Sequence, residues 1–414
     1  MHDKRVVVTG IGAITPIGHG KNGLWEGVRS GKTGVVGISR FDTSQIQTKV
    51  AAEINDFDPL NYFDSKLARR MDRFAQLGLA ACELAMKDSL LPLTLNGSGE
   101  RTGVTMGTAL GGIAGAERQH EHYVKSGLRA VDPSLALTVF GGSGSSNIAI
   151  RYGLTGPSNA NSNSCASGAI AIGEAYRYVK DGYADIMVAA AAEAPLYELT
   201  FSAFTIIRAM STNRDPATAC RPFDKNRDGF VMGEAASVLV LEELGHALQR
   251  DAHIYCEVLG FSCNNDAHHM VAPKPDGSSA VRAMESAIQE ARITAADIDY
   301  VNAHGSSTPL NDKTETLALK KVFRDRAKKM PISATKSMHG HALGASGAVE
   351  AAICAQVFER EFLPPTIHYR EPDPDCDLDY IPNEGRNARV DHILSNSFGF
   401  GGINAVLVFG RFAT

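Results

Sequence analysis

Residues 165–182 read CASGAIAIGEAYRYVKDG, and residues 344–361 read GASGAVEAAICAQVFERE. Each carries Ala-Ser-Gly-Ala ahead of apolar residues at helical spacing, so each predicts a turn opening a helix. Two further pairs stand in the same order. VVVTGIG (6–12) is echoed by CEVLGFS (256–262), and ASVLVLEE (236–243) by NAVLVFGR (404–411). Three echoes in one order predict an α/β chain built from two similar halves, residues 1–250 and 251–414, in five layers. No Pro/Ser-rich linker interrupts the chain near residue 250. The halves are therefore expected to pack as one body.

The rest of the chain fits that plan. Strands are expected over 5–12, 102–108, 184–193, 236–243, 254–261, 298–305 and 404–412. Helices are expected over 66–89, 279–293 and 345–361. The stripe Ala169, Ile172, Tyr176 and Val179 reads as a core-facing helix surface. The opening MHDKRVVVTGIG carries Asp3 in its basic stretch and glycines in its apolar one, so it reads as a buried strand rather than a signal peptide.

Composition excludes several function classes. The 414 residues carry a net charge of −5, which argues against nucleic acid as a partner. No apolar run is long enough to span a bilayer. Seven cysteines, an odd number with no CxxC, argue against a disulfide framework or a metal site and for a reducing, cytoplasmic setting.

Cys165 differs in setting from the other six cysteines, which read as structural. It stands where a helix begins, and a helix N-terminus favours a thiolate, so its pKa is expected to fall. His304 ends an apolar strand in YVNAHGSSTP, and His341 precedes the second Ala-Ser-Gly-Ala. Strand ends of one sheet edge would gather all three, as covalent catalysis requires. The turn NSFGFGG (396–402) would let backbone approach a ligand, with Phe400 at the entrance.

With these motifs, together with RPFDKNRDGFVMGE (221–234), TKSMHGHALGASGAVE (335–350) and PNEGRNA (382–388), the chain resembles the beta-ketoacyl-[acyl-carrier-protein] synthases, elongating type II-like members of the thiolase superfamily. The resemblance implies a thiolase-like five-layered αβαβα fold. It implies decarboxylative condensation of an acyl thioester, carried on Cys165, with malonyl-acyl carrier protein in fatty acid elongation. A ketosynthase subunit of a type II polyketide or polyene pathway is the alternative.

The family's roles carry over residue by residue. His304 and His341 would stabilise the enolate, and the N–H groups of Cys165 and Phe400 the oxyanion. Lys336 and its ion partner Glu350, with Asp312 and Glu315, would support the histidines. Ser306 and Thr308 would contact the phosphopantetheine arm, and Leu110 and Phe400 would gate the acyl pocket. Lys66, Arg69, Arg70 and Arg208 are candidates for docking the acidic carrier protein. No cofactor of the chain's own is implied, since the carrier protein brings the arm. A homodimer, or a heterodimer with a related subunit, is expected. The chain departs from its relatives at Asn163-Ser164, Ala190-Ala191, Leu310-Asn311, His339 and Ile403, all close to the expected site.

Overall fold

The first apolar run forms β1 (Val6–Thr15), buried along its whole length. The computed structural model describes residues 4–91 and 99–413, so Asp3 lies outside it. The first half continues with β2 (Thr102–Gly107), β3 (Ser158–Asn161), β4 (Ile186–Glu193) and β5 (Ala235–Glu243). The second half supplies β6 (Cys256–Asn265), β7 (Tyr300–Asn302), β8 (Ile332–Ser333), β9 (His392–Gly399) and β10 (Ile403–Gly410). Its helices and those of the first half include α1 (Arg73–Ser89), α2 (Gly142–Tyr152), α3 (Ser167–Lys180), α4 (Ser278–Glu290), α5 (Pro309–Phe323) and α6 (Ser346–Arg360).

The strands run β8-β7-β9-β10-β6-β1-β5-β4-β2-β3. Counted outward from the β1/β6 junction, each half lays its strands in one order: first, fifth, fourth, second, third. The echoed segments are thus equivalent strands. VVVTGIG and CEVLGFS lie in the first strands, β1 and β6, while ASVLVLEE and NAVLVFGR lie in the last, β5 and β10. The halves meet through Val6 with Val258, Val7 with Glu257 and Val8 with Cys256.

Side-chain alternation creates the layers. On β4, Met187, Ala189 and Ala191 face an inner core shared with α3 and α6. Ile186, Val188, Ala190 and Ala192 face an outer core shared with α1 and α2. On β10, Ala405, Leu407 and Phe409 point inward, while Val406 and Val408 meet α4 and α5. Helix, sheet, helix pair, sheet, helix is the five-layer order. Strands covered on both faces read as unbroken apolar runs, which is why no polar alternation marks them in the sequence.

The repeated glycine has a reason in this packing. A Cβ on Gly168 would stand 2.9 Å from Ala348 N, and one on Gly347 2.8 Å from Ala169 N. The first turns of α3 and α6 press on each other there, and neither tolerates a side chain. The stripe Ala169, Ile172, Tyr176 and Val179 lies in the inner core.

One expected element is two. The helix anticipated over 66–89 splits into Ser65–Ala68 and α1, because Asp64 and Asp72 each cap a separate start. Asp72 accepts the N–H of Phe74, a local bond that competes with helix continuation. Among the described residues, no helix is long and apolar enough to cross a membrane.

Candidate active site

Loops from both halves meet around a cavity of about 330 Å³, whose lining includes Cys165, His304, His341, Ser306, Thr308 and Phe400. The turn Ser164–Ala166 carries Cys165 directly into α3. Ser164 adopts φ 52°, a left-handed conformation that folds the turn sharply. Cys165 is 7% exposed. Its sulfur lies 3.7 Å from the Ser164 hydroxyl and accepts the N–H of Phe400.

The expected depression of the Cys165 pKa is not found. Burial pushes this thiol above its ordinary range. The Ser164 hydroxyl, the Lys336 charge and the Phe400 N–H pull it back, while Glu193 adds to the rise. The helix terminus offers a favourable field, but loss of water outweighs it in the resting cavity.

His304 follows β7, and its ring centre lies 5.4 Å from that of His341. His341 donates its N–H to Val231 O at 2.7 Å, which fixes its backbone across the first half's chain. Its Nδ1 pairs with Ser346 Oγ at 2.9 Å. Burial, then the Lys336 charge, then a neighbouring histidine hold both rings well below the usual histidine pKa, so both are neutral. Lys336 is fully buried, ion-paired with the equally buried Glu350. Its Nζ donates to His304 O at 2.8 Å and lies 3.5 Å from His304 Nδ1.

The supporting carboxylates are structural anchors. Glu315 accepts the N–H groups of His304 and Gly305, each at 2.9 Å, and Asn396 Nδ2 at 3.1 Å. Asp312 accepts Phe223 N–H at 2.8 Å and lies 3.5 Å from Arg227 Nε. Ser306 Oγ and Thr308 Oγ1 are 2.9 Å apart at the cavity wall. Leu110 packs in the apolar cluster that contains Cys165, and the Phe400 ring stacks on Phe204 with centres 6.3 Å apart.

Sequence reasoning missed Glu193. This buried residue ends β4 and accepts N–H groups from Ala109 at 2.6 Å, Leu110 at 3.1 Å and Gly344 at 3.0 Å. Burial pushes its carboxyl up to about 7 against those bonds. A charged residue closing an all-apolar strand was the available signal.

Among the docking candidates, Arg208 is exposed and lines the cavity. Lys66, Arg69 and Arg70 are exposed around the short helix Ser65–Ala68, apart from the cavity lining. Lys274, which the sequence did not single out, lines the cavity. Of the departures, Leu310 and Asn311 line the cavity too, Ile403 packs on the inner core, and His339 is buried with Nε2 3.1 Å from Thr335 Oγ1.

Known proteins share this architecture. Residues 3–247 match the model of the beta-ketoacyl synthase N-terminal domain, and residues 255–370 that of the C-terminal domain. The chain belongs to the beta-ketoacyl synthase family. It is 42% identical over 410 residues to 3-oxoacyl-[acyl-carrier-protein] synthase 2 of Staphylococcus aureus (strain COL), covering 99% of each chain. Against the same-named enzyme of Synechocystis sp., identity is 43% over 414 residues, covering 100% of this chain and 99% of that one.

Solved structures extend the likeness to polyketide assembly. This synthase superposes with a TM-score of 0.92 on a type II polyketide ketosynthase solved with its acyl-carrier protein, at 34% identity over the whole of both chains. The ishigamide ketosynthase/chain length factor gives a TM-score of 0.92 at 36% identity, covering 99% of this chain and 100% of that one. The thiolase-like ketosynthase fold that the resemblance implied is therefore the fold of this chain.

Proposed function

We propose that this synthase elongates acyl chains on an acyl carrier protein in fatty acid synthesis. The carrying observation is the grouping of Cys165, His304 and His341 around one cavity, with both imidazoles neutral and a backbone donor at the sulfur. Whole-length identity of 42–43% to enzymes named 3-oxoacyl-[acyl-carrier-protein] synthase 2 supports the same reading.

The geometry suits two successive steps. First, the Cys165 sulfur attacks the carbonyl of an acyl thioester. The bond from that carbonyl to the carrier's sulfur breaks, and the carrier thiol leaves with the cysteine's proton. Malonyl-acyl carrier protein then enters. Its bond to the terminal carboxylate breaks, releasing carbon dioxide and leaving an enolate. The enolate carbon attacks the acyl-Cys165 carbonyl, and the cysteine sulfur departs, leaving a 3-oxoacyl chain two carbons longer.

The histidine tautomers follow from their neighbours. An ammonium at Lys336 makes His304 Nδ1 an acceptor, and a Ser346 hydroxyl turned toward His341 Nδ1 would do the same there. Both rings then carry their proton on Nε2 and can donate it to the enolate oxygen. Neutral donors suit this work, because they stabilise charge on oxygen without delivering a proton to the nucleophilic carbon. The N–H groups of Cys165 and Phe400 would serve the second oxyanion. Ser306 and Thr308 offer hydroxyls to the arm, and Arg208 a charge to the acidic carrier. The chemistry draws on no resident cofactor.

The second reading is a type II polyketide or polyene ketosynthase, active as a homodimer or beside a related subunit. It is favoured by the 0.92 TM-scores to such proteins. Intact-mass analysis with a panel of acyl carriers decides between the two. Saturated chains loaded on Cys165 and extended with malonyl carrier support elongation. Loading of polyketide or polyunsaturated chains alone supports the second reading. Absence of any acyl adduct, or an adduct that persists in Cys165→Ala, overturns both.

A further inference from the structure

We propose that Ser164 is a further catalytic residue of this synthase, its hydroxyl donating a hydrogen bond to the Cys165 sulfur and holding the thiolate ready for attack. The inference rests on the reading of Cys165 as the acyl-carrying nucleophile. Ser164 Oγ lies 3.7 Å from Cys165 Sγ, within range for a bond to sulfur. The side chain is only partly buried, in the turn that precedes α3. Its left-handed backbone, φ 52°, turns residue 164 back over residue 165.

The second half provides the contrast. There Leu343 holds the same place with φ 39°, carries no hydroxyl and is 2% exposed. Where the turn bears no nucleophile, the position is filled by an apolar residue. Where it bears one, it presents a donor.

The sulfur needs such a donor. The charged and titratable groups around it are Lys336, paired with Glu350; Glu193 at the end of β4; and the neutral rings of His304 and His341. Neither ring is charged, so neither supplies the imidazolium that elsewhere stabilises a catalytic thiolate. Lys336 is ion-paired with Glu350, and its charge favours the thiolate less than the Ser164 hydroxyl does. Among the described residues, the donors to the sulfur are the Phe400 N–H and the Ser164 hydroxyl. A hydroxyl can also rotate away once the sulfur is acylated, whereas a backbone N–H stays fixed.

The test is the pH dependence of Cys165 alkylation by iodoacetamide, followed on the full chain by peptide mass mapping, which separates Cys165 from the exposed Cys263. It is run on the parent and on Ser164→Ala and Ser164→Gly. Alanine removes the hydroxyl and keeps the backbone restraint; glycine removes both. The expected result is an upward move of the alkylation midpoint by about one pH unit in both variants, with acylation at pH 7 slowed about tenfold. An unchanged midpoint in both, or a shift in the glycine variant alone, overturns the proposal. Alkylation requires no carrier protein. A parent chain that alkylates normally yet accepts no acyl group would overturn the proposed function and leave the Ser164 result readable on its own.

Discussion

The turns Ser164–Ala166 and Leu343–Ala345 are the same device built twice. Each is a tight turn with a left-handed residue at its start, φ 52° at Ser164 and φ 39° at Leu343. Each is preceded by a residue in nearly one conformation, φ/ψ −97/43 at Asn163 and −84/40 at Ala342. Each opens a buried helix with serine. They differ in what stands at the centre. Cys165 borders the cavity, whereas a Cβ on Gly344 would stand 2.3 Å from Ala109 N and 2.7 Å from Glu193 Oε2. Packing leaves no room for a side chain at the centre of the second turn. Its serine has a different task as well: Ser167 Oγ closes its own turn on Ser164 O at 2.7 Å, while Ser346 Oγ holds His341. One copy carries the proposed nucleophile, and the other braces the site and holds a histidine.

The largest effect tests the armed turn. Cys165→Ala is expected to abolish acylation, a loss on the order of 10⁶ when a nucleophile is removed, while the melting temperature stays within a few degrees. Adding Gly344→Cys to that variant is expected not to restore an adduct. An acyl mass at residue 344 would break the contrast between the copies. Next, His304→Ala and His341→Ala are each expected to slow malonyl decarboxylation by about 10²–10³-fold while acylation of Cys165 proceeds. Full decarboxylation in either, measured by carbon dioxide release, would remove that imidazole from the enolate.

Gly344→Ala sharpens the packing half of the contrast. Backbone and a buried carboxylate surround the missing Cβ, so the variant is expected to lose about 1–3 kcal/mol in urea unfolding. Ser346→Ala is expected to cost about 1 kcal/mol and to slow decarboxylation about tenfold by freeing His341 Nδ1. Ser167→Ala should show the stability loss without a selective fall in decarboxylation. Equal decarboxylation rates in the two serine variants would deny Ser346 its special task.

Much of this was legible before any coordinates. Ala-Ser-Gly-Ala appears twice because Gly168 and Gly347 meet at one crossing, a constraint strong enough to mark the sequence. Cys165, His304 and His341 stand out because each combines reactive chemistry with a strand end or helix start. Glu193 was hidden because, beside the Thr108 hydroxyl, its partners are backbone N–H groups 84, 83 and 151 residues away, and an N–H leaves no trace in residue identity. Strand β3 was missed because Ser158–Asn161 is polar and only partly covered, so neither alternation nor an apolar run betrays it. The raised pKa of Cys165 was missed because helix position can be read from sequence, whereas burial at the meeting of two halves cannot.

The smallest effect at neutral pH concerns His339, buried just ahead of the second turn, where the first turn has no histidine. Burial, then the nearby Lys336 charge, lowers its pKa to about 3, opposed by a bond involving the Gly340 backbone. The unfolded chain takes up this proton near pH 6.5, and the folded chain does not until about pH 3. Protons therefore favour the unfolded state across that window. The stability that neutral His339 supplies is complete above about pH 6.5 and is lost as pH falls toward 3, by at most about 1.4 kcal/mol per pH unit. His304 and His341 pull in the same direction, while Glu193 and Glu350, both pushed up to about 7, pull the opposite way. All four remain in His339→Thr, so a comparison of slopes separates residue 339, together with its effect on His341, from any fixed packing cost. Urea unfolding at pH 7.5, 6.5, 5.5 and 5.0 is expected to give nearly equal slopes for parent and variant above pH 6.5. Below it, the parent should lose stability more steeply. Parallel curves down to pH 5.0 would mean that His339 takes up its proton in the folded chain, and that the core ahead of the second turn accepts a charge.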